Sequence, residues 1–267
     1  MVVVFTVLFG IGTGLFYARP WSSDLLNARE ARAAFDWRED WALRSGFTLE
    51  IDSQGFHLPT AIAFVPDPGD KPSDPLYFVT ELFGAVRVVT NDRTVHTFAE
   101  GFFDPRDSFE TGLGAVCLDP ANGYVFVTFA SPDETGVLRN DIVRFQTTPG
   151  TFSLSPQSQI TYSDIFATFR SGGEHQIGHC NVQGDTLFVS VGDGSQTTQS
   201  QQVDSVLGKV LRMTLDGEPL ANNPFFVEAN GRNPQNYIWA MGLRNPFGLE
   251  MVDGRLFVAD NGPSVDR

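Results

Sequence analysis

One strand pattern occurs four times in this 267-residue sequence, and it limits the possible folds more than any other feature. The copies are LYFVT at 76–80, YVFVT at 124–128, LFVS at 187–190 and LFVA at 256–259. Each follows a turn built from Pro, Gly, Asn or Asp and combines β-branched with aromatic residues, as buried strands do. Further apolar segments flank the copies on both sides. The sequence therefore predicts a series of similar antiparallel units.

The copies recur at intervals of roughly 50 to 70 residues. Units of this length cannot bury both sheet faces alone, so they predict the blades of an all-β propeller with loop insertions. A two-sheet sandwich is the alternative, but it does not require the same strand phrase four times. We count about three to three and a half four-stranded blades in residues 47–267. Because the chain stops just past a strand, we expect an open edge, and we interpret the sequence as the N-terminal part of a longer protein or as a truncated gene product.

The N-terminal region differs from the repeats. Residues 2–17 are apolar and uncharged, a run that is short for a spanning helix and typical of a signal-peptide core. We interpret residues 1–20 as a signal peptide or a membrane anchor, with a buried segment of the main domain as the alternative. Residues 21–46 carry Glu, Arg and Ala at helical spacing and indicate a linker or exposed helix. This start predicts an extracytoplasmic protein, either secreted, periplasmic or membrane-anchored.

The net charge and the cysteines bear on possible partners, on disulfide formation and on metal binding. The net charge of −14 argues against nucleic acid as a partner, because phosphates need a basic surface. The two cysteines, Cys117 and Cys180, allow one disulfide in an exported protein. Their wide separation in sequence nevertheless favours two buried free thiols. No clustered ligand spacing indicates a zinc site.

The segment EHQIGHC at 174–180 holds two of the four histidines and leads into the strand TLFVSV at 186–191, which ends at GDG. A polar, histidine-bearing segment that leads into such a strand is where a β-propeller or barrel would place a functional site. The alternative is that His175 and His179 are hydrogen-bonded structural residues beside a turn. The residues alone leave both interpretations open.

Several motifs, taken in order, resemble the glucose/sorbosone dehydrogenase family of soluble quinoprotein sugar dehydrogenases. They are EHxxG at 174–178, GKVLRMTLDG at 208–217, GLRNPFGL at 242–249 and NGP at 261–263. The resemblance covers residues 47–267 and implies the first half of a six-bladed β-propeller. It also implies pyrroloquinoline quinone (PQQ) and calcium as cofactors, and a sugar or polyol as substrate. The electron acceptor is not predicted.

The resemblance assigns roles to individual residues. His175 matches the family's general base, and Glu174 matches an acid that supports this histidine. Arg244 and Asn245 match the pair that holds the cofactor, since a guanidinium binds the carboxylates of PQQ well. The alternative for Arg244 is a salt bridge within a turn.

Three further positions are matched. The backbone carbonyls of Gly262 and Pro263 correspond to calcium ligands, and hard cations accept carbonyl oxygens readily. Glu110 falls where the family contacts substrate, although a solvated loop acid explains it equally well.

Two departures from the family pattern weaken the enzymatic interpretation more than the fold. His179 stands where the family usually has arginine, and Gly194 stands where active members tend to have a polar side chain. The alternative function is a non-catalytic extracellular binding module of the same lineage, similar to the hedgehog-interacting proteins. Retention of the acid–histidine and Arg–Asn pairs favours the dehydrogenase.

Overall fold

The computed structural model describes residues 45–104, 110–166 and 170–262. The chain divides between Ile51 and Asp52 into two units. The expectations for residues 1–20, and for nearly all of 21–46, lie outside the described residues. Among the described residues, no helix has the length and apolar character that crossing a membrane requires.

The second unit is built from antiparallel sheets whose strands follow one another along the chain. Blade 1 comprises β1 (Pro59–Phe64), β2 (Pro75–Glu81), β3 (Ala85–Thr90) and β4 (Val95–Ala99). Blade 2 comprises β5 (Gly112–Asp119), β6 (Tyr124–Pro132), β7 (Leu138–Gln146) and β8 (Ser158–Thr161). Blade 3 comprises β9 (Ile177–Gln183), β10 (Thr186–Val191), β11 (Lys209–Thr214) and β12 (Ile238–Met241). A two-stranded sheet of β13 (Pro246–Val252) and β14 (Arg255–Asp260) follows, and a short helix α1 (Ser163–Phe166) precedes blade 3.

The first strand of each sheet packs against the first strand of the next, from β1 through β5 and β9 to β13. Two glycines allow this close approach. A Cβ atom on Gly114 would lie 2.8 Å from the carbonyl oxygen of Ile177, and one on Gly178 would lie 3.0 Å from that of Pro246. The repeated phrase forms the second strand of every sheet. These features confirm the all-β propeller with four-stranded antiparallel blades.

Apolar side chains fill the spaces between the blades. Between blades 1 and 2, the rings of Phe78, Phe98 and Phe145 pack edge to face, with centroids 5.0 and 5.5 Å apart. The core between blades 2 and 3 contains Ile142 of β7 and Leu211 of β11, both fully buried. Alternating residues of the central strands therefore face opposite neighbours, and each blade needs both for burial.

The prediction of two free thiols is wrong, because Cys117 and Cys180 form a disulfide. Cys117 lies on β5 and Cys180 on β9, which are neighbouring innermost strands. Their Cα atoms are 5.8 Å apart although 63 positions separate them in sequence. The large separation in sequence was a poor guide to distance, because the propeller places the first strands of consecutive blades side by side.

The last sheet exposes more apolar surface than the others. Its strand β14 pairs with β13 and has no second strand partner among the described residues. Val252 and Phe257 are exposed, and Phe247 is 65% exposed. The predicted open edge is present in the described part of the chain.

Candidate functional site

Four chain segments meet at one end of blade 3 and of the β13–β14 sheet. They are the loop before β9, the loop after β10, the β12–β13 connection and the end of β14. The Gly194 N–H donates to the carbonyl of His175 (3.1 Å), and the Asp193 N–H donates to the carbonyl of Arg244 (2.7 Å). The Asn261 N–H donates to the carbonyl of Asn245 (3.0 Å). We call this cluster, with Glu110 and Gly262, the candidate site.

His175 is held by its own backbone and by a buried carboxylate. Its φ of 59° lies in the left-handed region, which a non-glycine residue seldom adopts. The Nδ1 atom lies 2.6 Å from Oδ1 of Asp193, whose side chain is 1% exposed. A carboxylate accepts the Nδ1 proton, so the neutral ring carries its lone pair on Nε2. This tautomer leaves Nε2 as the basic atom.

Glycine is required beside this histidine. A Cβ atom on Gly192 would lie 2.2 Å from the carbonyl oxygen of His175. Any side chain at position 192 would therefore displace His175 or the loop that carries Asp193. The GDG sequence after β10 provides both the close approach and the carboxylate.

The described structure shows no hydrogen bond between the Glu174 carboxylate and the His175 imidazole, which is bonded to Asp193. The Glu174 side chain is exposed, and its Oε2 accepts a hydrogen bond from Ser195 Oγ at 3.5 Å. Asp193 is 18 positions from His175 in sequence, so local spacing did not reveal the pair. The sequence feature that could have predicted this pair is the position of Asp193 directly after the buried strand β10.

Arg244 and Asn245 lie in a bend organised by a second acid that sequence reasoning missed. Asp260 Oδ1 accepts the N–H of Arg244 (3.1 Å) and that of Asn245 (2.8 Å). The guanidinium Nη1 donates to the carbonyl of Asn261 at 2.9 Å. No carboxylate among the described residues forms an ion pair with Arg244, so the salt bridge considered above is not formed with any of them. Its Nε and Nη2 make no hydrogen bond within the described part of the chain.

Glu110 is brought to the histidine from blade 2. Its carboxylate accepts the backbone N–H of His175. The side chain is therefore engaged at the candidate site, although the contact is with backbone and the residue is exposed at the surface.

The predicted calcium ligands are only partly visible. Gly262 follows Asn261 directly in the candidate site, and Pro263 lies outside the described residues. The described chain contains no group of three or more His, Cys, Asp or Glu residues that could hold a metal ion. A calcium ion here would depend on backbone carbonyls and on the bound cofactor.

His179 is not part of this network. It lies on β9, and its Nδ1 is 3.2 Å from the carbonyl oxygen of Cys180. Burial lowers the pKa of His179, opposed by the nearby Glu250 carboxylate. Of the two histidines in the segment, only His175 is paired with an acid.

Two buried oxygens beside His175 have no hydrogen-bond partner. They are Oδ2 of Asp193 and Oε1 of Gln176. Buried polar atoms normally find partners, so these two indicate a place for water or for a ligand with hydrogen-bond donors. Together with the available guanidinium N–H groups of Arg244, they fit a polar, anionic ligand with hydroxyl groups close by.

The family model described as Glucose / Sorbosone dehydrogenase matches residues 56–266, most of the chain. The chain belongs to the glucose/sorbosone dehydrogenase family. Among relatives, it is 28% identical over 232 residues to the aldose sugar dehydrogenase YliI of Escherichia coli. That match covers 84% of this chain and 58% of the relative.

Two further relatives carry the quinone in their names. The quinoprotein glucose dehydrogenase B of Acinetobacter calcoaceticus is 28% identical over 170 residues, covering 54% of this chain and 34% of that protein. The PQQ-bound aldose sugar dehydrogenase of Streptomyces coelicolor superposes with a TM-score of 0.61 at 26% identity. That superposition covers 80% of this chain and 59% of the solved chain. The chain thus spans 58% of the Escherichia coli relative, 34% of the Acinetobacter calcoaceticus relative and 59% of the solved Streptomyces coelicolor chain.

Proposed function

We propose that this protein is a quinoprotein dehydrogenase that oxidises a hydroxyl group of a sugar or polyol, with PQQ and calcium as cofactors. The single observation that carries the proposal is the buried His175–Asp193 pair, linked through the Asp193 N–H to the backbone of Arg244. Family membership and the quinone-dependent relatives support it. A binding surface alone has no need of an oriented base beside an available guanidinium.

His175 acts as the general base in this proposal. Its Nε2 lone pair takes the proton of the substrate hydroxyl, while Nδ1–H stays bonded to Asp193. The Asp193 carboxylate then stabilises the imidazolium that forms. Glu110 holds the backbone N–H of His175 and thereby keeps the ring in position at the substrate side.

Arg244 and Asn245 bind the cofactor. The Nε and Nη2 groups of Arg244, which make no hydrogen bond in the described chain, would hold oxygen atoms of the cofactor, and Asn245 would add its amide. The backbone carbonyls of Gly262 and Pro263 would hold the calcium ion. When bound, PQQ supplies the electron-accepting carbonyl that receives the hydride from the substrate C–H bond. The unpaired buried oxygens of Asp193 and Gln176 would accept hydrogen bonds from ordered water.

We also propose an extracytoplasmic location. The disulfide between Cys117 and Cys180 supports it, because cytosolic reductants keep most thiols reduced in mesophiles. The electron acceptor of such an enzyme would lie in the same compartment.

The test compares variants of the full-length protein after reconstitution with PQQ and calcium. His175→Ala is expected to lower dye-linked sugar oxidation about 10²- to 10⁴-fold with cofactor affinity largely kept, because a base acts in the transition state. Arg244→Ala is expected to weaken PQQ binding by about 1.5–3 kcal/mol, as for hydrogen bonds to charged groups. His179→Ala is the matched control, since it lies in the same segment outside the network.

Two results would contradict parts of this proposal. If the wild-type protein binds no PQQ, the dehydrogenase function fails and an extracellular binding module takes its place. If PQQ binds but His175→Ala keeps the full rate, the base has been assigned to the wrong residue.

A further inference from the structure

Lys209, the first residue of β11, is completely buried. Its Nζ lies 2.9 Å from the carbonyl oxygens of Gln199 and Ser200, and 2.7 Å from that of Leu207. An ammonium group has three N–H donors, and here each has a carbonyl acceptor. The side chain thus gathers three backbone carbonyls of one loop around a single buried cation.

The loop in question joins β10 to β11 and carries Asp193 at its start. The carbonyl of Ser200 accepts the N–H of Gly242 (3.0 Å) in addition to the Lys209 ammonium. The carbonyl of Gly208 accepts the N–H of Leu243 (3.1 Å). Lys209 and Gly242 therefore bind the same carbonyl oxygen, that of Ser200. The Gly242–Leu243 segment leads directly into Arg244.

The end of the same loop also contacts its beginning, where Asp193 lies. The N–H of Gly208 donates to the carbonyl of Gly192 at 3.0 Å, next to Asp193. A Cβ atom on Gly208 would lie 2.4 Å from Cβ of Ser200 and 2.6 Å from the carbonyl oxygen of Leu243. The backbone is closely packed at Gly208. A shift of the loop there would therefore move both the Gly192–Asp193 segment and the Gly242–Leu243 segment.

A buried ammonium is costly compared with an apolar side chain of similar size. Burial lowers the pKa of Lys209 to about 8, and the Asp204 carboxylate opposes this shift. The group is therefore mainly charged at neutral pH, when it can donate to all three carbonyls. An apolar residue would fill the space without that cost, but it would leave the carbonyls unpaired.

We infer that Lys209 is a positioning residue for the candidate site: its ammonium fixes the loop whose Ser200 and Gly208 carbonyls hold the segment leading into Arg244. The Lys209 ammonium donates its hydrogen bonds to backbone carbonyls of the loop and acts through Arg244 and Asp193. The part of the test that uses cofactor affinity rests on the proposed function, and the part that uses amide exchange does not.

The test compares Lys209→Met with Arg144→Met in the full-length protein. Arg144 is a matched control, since its Nη1 also donates to a backbone carbonyl, that of Leu215 (2.7 Å), beyond the far end of β11. Lys209→Met is expected to speed amide hydrogen exchange at Gly242 and Leu243 on the order of tenfold or more, the equivalent of one charged hydrogen bond. PQQ affinity should fall by a similar factor. Arg144→Met should lower stability without either change.

The inference is overturned if the two variants affect Gly242 and Leu243 equally, or if Lys209→Met leaves their exchange unchanged. Lys209→Gln, which keeps an N–H donor, is a second and milder variant. Its amide exchange rates at Gly242 and Leu243 are expected to lie between those of the wild type and Lys209→Met. If the wild-type protein binds no PQQ, the proposed function fails, while the exchange comparison still decides the role of Lys209.

Discussion

Asp141 of β7 carries a buried carboxyl group whose Oδ1 atom has no hydrogen-bond partner. Burial raises its pKa to about 7, with Arg139 opposing and Asp164 adding to the shift. In the unfolded chain the group titrates near 3.8. The folded protein therefore holds a proton that the unfolded chain has already lost between about pH 4 and 7, so stability falls as pH rises through this window.

Asp141→Asn is expected to remove this pH dependence. The variant should gain on the order of 1–3 kcal/mol relative to wild type at pH 8, where the buried carboxylate is charged, and much less at pH 5. Urea unfolding of both proteins at the two pH values measures the difference. Asp253→Asn, at an exposed turn, is the control and should shift neither value. An equal effect of Asp141→Asn at both pH values would show that Asp141 is not the titrating group.

At the scale of elements, the neighbouring first strands β5 and β9 are joined by the disulfide of the described chain and by a side-chain hydrogen bond. The disulfide links their middles, and Thr128 Oγ1 donates to the carbonyl of Gly178 at 2.7 Å. The same hydroxyl accepts the N–H of Ala115 at 2.9 Å. Because β9 begins two residues after His175, this junction also supports the segment that carries the proposed base.

Replacing both cysteines by alanine is expected to lower the free energy of unfolding by about 2–4 kcal/mol, because the crosslink closes a long loop in the unfolded chain. Urea unfolding of the double variant against oxidised wild type measures this loss. Reduced wild type serves as a second comparison and should resemble the variant. Unchanged midpoints in both would mean that packing alone holds the two strands.

At the scale of the whole molecule, the blades depend on their neighbours for burial, and the outermost sheets have one neighbour each in the described chain. Ile62 and Phe64 of β1 are exposed, as are Val252 and Phe257 of the last sheet. An unpaired strand edge with apolar residues is a surface that pairs with other chains.

We expect these 267 residues alone to associate in solution through the β14 edge. Phe257→Lys on β14 should reduce the association, because a charge on an exposed edge strand opposes strand pairing. Sedimentation velocity measures the change, and Val203→Lys, exposed but outside any strand, is the control. A monodisperse wild-type monomer with one cooperative thermal transition would contradict this expectation.

The sequence by itself determined the blades and most of the candidate residues. Strand alternation and turn residues act over a few positions, so the four copies of one phrase predicted the second strand of each sheet. His175, Arg244 and Asn245 followed from motifs of similar local range, and the structure brings them into one cluster with Glu110 and Gly262.

Only the tertiary structure decided which partners those residues have. Asp193, rather than the adjacent Glu174, is hydrogen-bonded to the His175 imidazole, since the loop after β10 folds back over the segment before β9. Asp260 organises the Arg244 bend from the end of another strand, and Cys117 meets Cys180 across two blades. Each of these contacts depends on how separate loops and strands converge around the propeller axis, and that arrangement has no signature within a short stretch of sequence.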